Sequence, residues 1–204
     1  MKRIIGLLTL LFSLNSFTFA SNDASQDPSK YLEIVARDMI SVIEQNKEAL
    51  KEDSQLAEDL VRKHLLPIID KETFSRRTLG SKLWKSLSSK QKNAFTKGYI
   101  NRVIDKYAKG LALYDGQDFV FEPAQISKKS GNARVKSSLK QSDSEPLDIH
   151  YDLSPKSGDW LITNIIVAGT DMRKSYKNQF IPRINEIGVE KFLLELNTPK
   201  VAKK

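Results

Sequence analysis

The sequence predicts an α+β fold, a single domain with a four-stranded antiparallel sheet, helices packed on one face, and an apolar cavity enclosed between the layers. From residue 28 to about 113, apolar residues recur every three or four positions, as on amphipathic helices. Between 119 and 167, apolar and polar residues alternate, which is typical of strands with one solvated face. After Thr170 helical spacing returns, and no repeat or long linker divides the chain.

The first part of the chain carries clear helix boundaries. Asp27 followed by Pro28 is a typical helix start, and apolar residues at helical spacing continue this helix to about Leu50. A second helix begins near Asp53 and is stopped by Pro67. Two short helices follow, "DKETFSRRTLG", which ends at a glycine, and "KLWKSL".

The longest helix is predicted over roughly 89–113. Ser88 and Gln91 have the spacing of a capping box, in which the two residues satisfy each other's backbone amides. Gly98 and Gly110 lie in this helix without a surrounding glycine motif, so we assign them to close packing or fraying and not to phosphate binding. A wide aromatic ladder runs along one face: Phe95, Tyr99, Val103, Tyr107, Leu111 and Tyr114.

Four strands in a meander follow, separated by the turn sequences "KKSGN", "SDSEP" and "SPKSGD". Phe119 and Phe121 mark the first strand, and alternation predicts the next two near 133–139 and 147–153. The fourth strand, 160–167, is apolar at nearly every position, so we expect both of its faces to avoid water.

After the fourth strand the chain passes through Gly169 into a helix that extends to about Asn185. A short final helix is predicted over 189–196. Residues 197–204 form a basic tail, which we predict to be disordered.

The first twenty residues have the layout of a cleaved secretory signal peptide. A charged start, a short apolar core and the small-x-small sequence "TFA" follow one another within 1–20. The apolar core is shorter than the ~20 residues that span a bilayer. We therefore expect export to the periplasm of a Gram-negative cell, a flexible N-terminus over 21–26 and a folded domain over 27–196.

The charge of the chain is concentrated in one block. The formal charge of the 204 residues is +8, and residues 73–104 contain eight basic and no acidic side chains. Such a block attracts phosphate groups or acidic protein surfaces. Its aromatic residues have the helical spacing of a core, and export removes most nucleic-acid partners, so we predict no nucleic-acid binding.

Several enzyme classes are excluded. The chain has no cysteine, which excludes thiol catalysis and cysteine-ligated metals, and it lacks the G-x-S-x-G, phosphate-loop and H-E-x-x-H motifs. Of its two histidines, His64 fits the apolar face of a helix. His150 alternates with Asp148 and Asp152, either as the solvated face of a sheet, which we favour, or as a metal site or general base.

Three stretches of the chain carry a specific combination of motifs. They are "HLLPIIDKETFSRRTLGSKLWKSLSSKQKNAF", "YINRVIDKYAKGLALYDGQ" and "DWLITNIIVAGTDMRKSYKNQFIPRINEIGVEKFLLEL". They combine a Leu-Pro step, a Leu-Gly before a tryptophan, a Gln-x-x-x-Phe helix start, Tyr-x-Gly-Gln, and a Trp-led strand running into Gly-x-x-Met. Together they resemble the MlaC family, also called the toluene-tolerance family, from about Asp27 to Leu196 and most weakly over 122–146. One departure is Thr170-Asp171, where the family usually has small residues and serine.

The resemblance implies a non-enzymatic periplasmic carrier that holds one phospholipid, acyl chains inward and headgroup outward. The implied partners are the inner-membrane Mla ABC transporter complex and an outer-membrane lipoprotein–porin complex, contacted transiently by a monomer. Such a carrier maintains outer-membrane lipid asymmetry. The resemblance implies no catalytic residue, no metal and no cofactor beyond the bound phospholipid cargo.

We expect twelve residues to line the acyl-chain cavity: Leu79, Phe95, Tyr99, Val103, Tyr107, Leu111, Ile149, Tyr151, Ile165, Val167, Met172 and Tyr176. The pattern leaves open which face of strand 160–167 contacts lipid, so Ile166 is an alternative to its neighbours. We assign docking of the headgroup or of acidic partner surfaces to Lys82, Lys85, Lys92 and Lys97.

Two alternative functions are compatible with the sequence. One is a hydrolase or isomerase on a cone-shaped α+β fold, with His150 and Asp152 as the acid–base pair. The other is an adaptor that binds only protein, through the basic block 73–104. Phospholipid extracted from the purified chain would distinguish the carrier from both.

Overall fold

The structure, a computed structural model, describes residues 27–140 and 145–199. The predicted signal peptide 1–20, the predicted flexible segment 21–26 and the end of the predicted tail, 200–204, lie outside these residues. In the described part of the chain, every helix is too short or too polar to cross a bilayer.

Eight α-helices are described, six before the strands in the sequence and two after them. They are Pro28–Gln45 (α1), Lys47–Glu52 (α2), Ser54–Leu60 (α3), Lys71–Leu79 (α4), Ser81–Ser86 (α5), Ser89–Tyr107 (α6), Met172–Ile187 (α7) and Val189–Asn197 (α8). A π-helical turn at Val61–Leu65 and a 3-10 turn at Leu66–Ile68 follow α3 and contain the predicted stop at Pro67.

Two predicted helices are shorter than the sequence suggested. The first breaks at Asn46, whose side-chain amide donates to the carbonyl of Val42 at 2.8 Å and so competes with the helical backbone bonds. The long helix opens with the predicted capping box of Ser88 and Gln91, which is confirmed. The α-helix ends at Tyr107, and the chain continues as a 3-10 helix, Ala108–Leu113. Gly110 lies in this segment, and glycine has a low propensity for the α-helix.

The sheet has six antiparallel strands, so the prediction of four was wrong. They are Phe119–Phe121 (β1), Gln125–Ile126 (β2), Ala133–Leu139 (β3), Leu147–Lys156 (β4), Asp159–Val167 (β5) and Thr170–Asp171 (β6). The order is β1-β3-β4-β5-β6, and β2 also pairs with β3. The two additional strands, β2 and β6, have two residues each, too few to show an alternating pattern.

Strand β6 exists because the chain reverses sharply after β5. Ala168 and Gly169 both have positive φ, 46° and 74°, which is the backbone of a type I′ hairpin turn. The turn brings Thr170 back beside Val167. Asp171 then caps α7 by accepting a hydrogen bond from the amide of Lys174 at 3.0 Å.

Strand β5 contains a β-bulge at Thr163. Asp152 pairs with Asn164 and Leu153 pairs with Ile162, so Thr163 is an extra residue between them. The extra residue shifts the alternation of side chains by one position. Ile162 and Ile165, which strict alternation would place on opposite faces of the sheet, therefore lie on the same face. The bulge thus accounts for Trp160, Ile162, Ile165 and Val167 on the inner face, whereas Leu161 and Ile166 lie on the other face.

The helices cover one face of the sheet, here called the inner face. A helical cluster of buried apolar residues draws members from all eight α-helices, and β5 packs against it through Ile165 and Val167. A second, sheet cluster joins Tyr31 and Leu32 of α1 to strand residues: Ala133, Val135, Leu153, Trp160 and Ile162. The other face, the outer face, carries alternating polar residues, among them Arg134 of β3 and Asp152 of β4.

Helix α4 is anchored to the edge of the sheet at its first turn. The Asp70 amide donates to the carbonyl of Ile162 at 3.0 Å. The buried Asp70 carboxylate accepts from the amide of Thr73 at 3.0 Å and from Lys156 Nζ at 3.1 Å. Burial raises the pKa of Asp70, but these hydrogen bonds outweigh burial and hold the pKa below its usual range.

Asp70→Asn keeps an oxygen that caps α4 but removes the charge that pairs with Lys156. A depressed carboxyl pKa contributes stability above the unfolded-state pKa of about 3.9, and this stability is lost as the pH falls through the folded-state pKa. We therefore expect the variant to lower the free energy of unfolding by about 1–2 kcal/mol at neutral pH. The difference should shrink below about pH 4, as measured by urea denaturation at both pH values.

Asp115→Asn is the matched control, because Asp115 pairs with Lys47 at 2.6 Å at the exposed surface. This change should leave the free energy of unfolding unmoved at either pH. A deficit for Asp70→Asn that has the same size in acid and at neutral pH would show that the charge is not what stabilises α4.

Helices α6 and α8 touch at the buried Gly98. A Cβ atom on Gly98 would lie 2.7 Å from Cγ of Leu196 and 3.0 Å from Nδ2 of Asn197, closer than side-chain atoms pack. Leu196 is itself buried and has little room to move. A Cβ on Gly110 meets no atom within 4 Å. The close packing predicted for Gly98 is therefore confirmed.

Gly98→Ala should lower the free energy of unfolding by about 1–2 kcal/mol, because overpacking outweighs a gain in helix propensity of up to about 1 kcal/mol. Gly110→Ala is the control, since it adds the same methyl group to open space. Urea denaturation of both variants measures the difference. Equal stability of the two would mean that α8 moves aside without cost.

Candidate functional site

Six half-buried apolar side chains pack against the helical cluster or share the inner face of the sheet with residues that do, and we call them the seam. They are Val103 and Tyr107 of α6, Ile149 and Tyr151 of β4, and Ile165 and Val167 of β5. The register places the four strand residues on one face, since Ile149 pairs with Val167 and Tyr151 with Ile165. Ile165 packs against both the helical and the sheet cluster, so the seam is the junction of the two.

The structure distinguishes the two faces of β5, which the sequence left open. Ile165 and Val167 pack against the helical cluster. Ile166 lies on the outer face, paired with His150 on one side and Asp171 on the other. Ile166 is therefore separated from the seam by the sheet.

Five predicted cavity residues are buried inside the helical cluster: Leu79, Phe95, Tyr99, Met172 and Tyr176. Tyr99 has no exposed surface, and its ring centroid lies 5.7 Å from that of Phe95 and 5.0 Å from that of Tyr176. Its hydroxyl is hydrogen-bonded to Thr78 Oγ1 at 3.2 Å, and burial raises its pKa. These residues support the seam from behind. The remaining predicted residue, Leu111, lies in the 3-10 helix, and its side chain is outside what the structure describes.

Two buried phenol hydroxyls lie near the seam, and Lys106 Nζ lies 5.0 Å from the ring centroid of the seam residue Tyr107. Tyr151 is hydrogen-bonded to Ser137 Oγ at 3.3 Å, and burial raises the pKa of its phenol. Tyr176 donates to the carbonyl of Arg102 at 3.3 Å, and burial raises its pKa to about 12. Both phenols therefore stay uncharged at neutral pH, which suits an apolar ligand.

His150 and Asp152 are not arranged as an acid–base pair. One Asp152 oxygen accepts from Arg134 Nε at 2.8 Å and Nη2 at 2.7 Å, and the other accepts from Asn164 Nδ2 at 3.4 Å. His150 lies between Lys136 and Ile166 in the register. Within 27–140 and 145–199, no three His, Asp or Glu residues are grouped to hold a metal ion.

The four lysines assigned to docking lie on α5 and α6. Lys82, Lys85 and Lys97 are exposed, and Lys92 Nζ lies 5.8 Å from the centroid of the Trp84 ring. None of the four forms an ion pair with another described residue. Their charges are therefore available to an acidic surface.

Surface pockets of the described residues include two that are lined by residues outside the seam. One, of about 560 Å³, lies between α6 and α8, beside Ala94 and Leu193. The other, of about 450 Å³, is lined by residues of β2 to β5 and by Arg77 of α4. Sequence reasoning counted Arg77 only as part of the basic block, and no spacing pointed to its contact with the sheet. The enclosed cavity itself stays a prediction.

Comparisons with known proteins agree with the fold. The family model described as "MlaC protein" matches residues 33–198. The intermembrane phospholipid transport system binding protein MlaC of Haemophilus influenzae is 24% identical over 200 residues, covering 96% of this chain and 92% of the relative. The toluene tolerance protein ttg2D of Pseudomonas putida is 22% identical over 183 residues, covering 90% of this chain and 83% of the relative.

A solved structure has the same fold. It is a phospholipid-binding protein from Ralstonia solanacearum in complex with a phospholipid, with a TM-score of 0.73 and 19% sequence identity. The match covers 85% of this chain and all of that one. Because the family model spans most of the chain, the resemblance seen in the sequence is confirmed, and the chain belongs to the MlaC family.

Proposed function

We propose that this chain is a periplasmic phospholipid shuttle that carries lipid between outer-membrane and inner-membrane Mla complexes and so maintains outer-membrane lipid asymmetry. The names of its relatives and the phospholipid in the R. solanacearum complex support the class of ligand. The observation that carries the proposal is the apolar seam between the two layers of the fold.

The size of the hydrophobic effect defines what the carrier must do. At about 0.8 kcal/mol per buried methylene, two sixteen-carbon chains exposed to water would lose on the order of 25 kcal/mol. The carrier must therefore enclose nearly all of both chains. It must hold them about as well as a bilayer does, because a much deeper site would prevent release.

Acyl chains are proposed to enter by separating the seam residues of α6 from those of the sheet. The aromatic residues around Tyr99 are proposed to stay packed. Val103, Tyr107 and Val167 are only half-buried, so separating them exposes less new apolar surface than opening a packed core. Phe95 and Tyr99, by contrast, contact aromatic rings on α4 and α7. This part of the helical layer is proposed to remain closed as the rigid wall of the site.

The four unpaired lysines are proposed to dock acidic surfaces of the partner complexes. They lie on the short helix α5 and the first turns of α6, away from the seam residues of α6 by sequence. Exposed charges of one sign mainly increase the rate of encounter with an oppositely charged partner. Lipid retention and partner docking are thereby assigned to different residues.

Val103→Asp and Val167→Asp should each abolish co-purification of phospholipid, because a buried charge disfavours acyl chains in the seam. We expect about one phospholipid per wild-type chain and at least a tenfold loss in the variants, measured by organic extraction and mass spectrometry. Circular dichroism should show unchanged helix content.

Leu194→Asp and Val120→Asp are the matched controls, one on a helix and one on a strand. Both residues are exposed apolar side chains outside the seam, so these variants should retain lipid. Full lipid occupancy in Val103→Asp and Val167→Asp would place the binding site elsewhere.

The double variant Lys85→Glu with Lys92→Glu should weaken binding to the purified inner-membrane Mla complex while leaving bound lipid nearly unchanged. The expected change is at least tenfold in affinity at low salt and less at high salt, because exposed charges are screened. Surface plasmon resonance at two salt concentrations measures it.

Lys174→Glu with Lys177→Glu is the control, since it reverses two exposed lysines on α7. It should leave docking close to that of the wild-type chain. Equal losses of docking and of lipid in the Lys85 and Lys92 variant would refute the separation of the two roles.

A further inference from the structure

A polar pocket of about 450 Å³ is lined by residues of β2, β3, β4 and β5 and by none of the seam residues. It is bounded by the β2–β3 hairpin, the outer-face pair of Arg134 and Asp152, and the bulge at Thr163. Helix α4 contributes Arg77. The lining is therefore polar and cationic, unlike that of the seam.

Arg77 is held in this pocket by the bulge. Its Nη1 donates to the Thr163 hydroxyl at 2.8 Å, and this hydroxyl in turn donates to the carbonyl of Asp152 at 3.1 Å. Thr163 is almost fully buried, so the acceptor of Arg77 is fixed in place. A guanidinium has five N–H donors, and this contact uses one.

The charges around Arg77 leave it without a counter-ion. The two acids whose charges act on Arg77 are each paired with another base: Asp152 with Arg134 at 2.7 Å and Asp70 with Lys156 at 3.1 Å. Arg77 forms no ion pair with any residue of 27–140 or 145–199. Burial, and then the charges of Arg173 and Arg76, lower the pKa of Arg77, as expected for a cation among cations.

We propose that this pocket binds an oxyanion of the phosphate class, with the guanidinium of Arg77 as its principal ligand. The planar donor fork of arginine matches two oxygens of such a group. Three polar side chains of the opposite wall can complete its hydrogen bonding: Gln125, Ser127 and Asn132. Asp152 is the acidic residue in the pocket, and its carboxylate forms an ion pair with Arg134.

Two sources can supply this group, a free phosphate or the headgroup of a membrane phospholipid at the surface of a bilayer. The site is proposed independently of the shuttle function, because the residues that line it are different from those of the seam. Arg77 is therefore expected to bind the anion whether or not the seam holds lipid.

The test uses inorganic phosphate titrated into the full chain and followed by NMR of the Arg77 Nε–H and Thr163 amide signals. The wild-type chain and Arg76→Gln should show saturable shifts, and Arg77→Gln should bind phosphate at least about tenfold more weakly. Arg76 is the matched control because it is exposed, neighbours Arg77 and carries the same charge. Equal affinity of the two variants, or no saturation in the wild-type chain, overturns the proposal.

Vesicles of phosphatidylglycerol distinguish the two sources. If the headgroup is the ligand, the wild-type chain and Arg76→Gln sediment with the vesicles and Arg77→Gln sediments less; if free phosphate is the ligand, the three chains sediment alike. Asn132→Asp provides a second variant in case Arg77→Gln fails to fold. It adds a negative charge to the opposite wall and should also weaken phosphate binding, and an unchanged affinity in this variant overturns the site.

Discussion

The bulge at Thr163 determines which side chains β5 presents to each face of the sheet. Without the extra residue, strict alternation would place Trp160 and Ile162 on the face opposite to Ile165 and Val167. With it, Trp160 and Ile162 complete the sheet cluster under α1, while Ile165 and Val167 meet the helical cluster. One inserted residue thus lets a single strand serve both clusters, and the seam is the line where they join.

The same bulge gives the opposite side of β5 a different chemistry. It buries the Thr163 hydroxyl and makes it the acceptor for Arg77, while the parallel bridge of Ile69 with Ile162 holds the start of α4 beside the strand. The apolar seam and the cationic pocket are therefore lined by different residues that lie close together along β4 and β5.

Sequence patterns were sufficient where one residue type decides the local backbone. The capping box at Ser88 and the start of α1 at Pro28 follow from hydrogen bonding within a few residues, so no tertiary information was needed. The bulge and the two-residue strands depend on pairing between distant segments, which periodicity does not record. The sequence pattern also did not show how deeply each residue of the aromatic ladder is buried. Phe95 is buried because Phe180 and Phe192 cover it, whereas Val103, two turns later, is only half-buried.

This division into a buried centre and a half-buried seam is what a reversible carrier requires. Fully burying a large apolar side chain contributes about 1.5–3 kcal/mol, so exposing six half-buried ones costs on the order of 5–10 kcal/mol. Two acyl chains would more than offset that cost, because they bring roughly thirty methylenes at about 0.8 kcal/mol each. Under the proposed function, the seam opens for lipid and closes without it, whereas the aromatic contacts around Tyr99 would keep the helical layer intact in both states. A seam as deeply buried as Tyr99 would resist entry of the ligand, and one fully exposed would make the empty chain prone to aggregation.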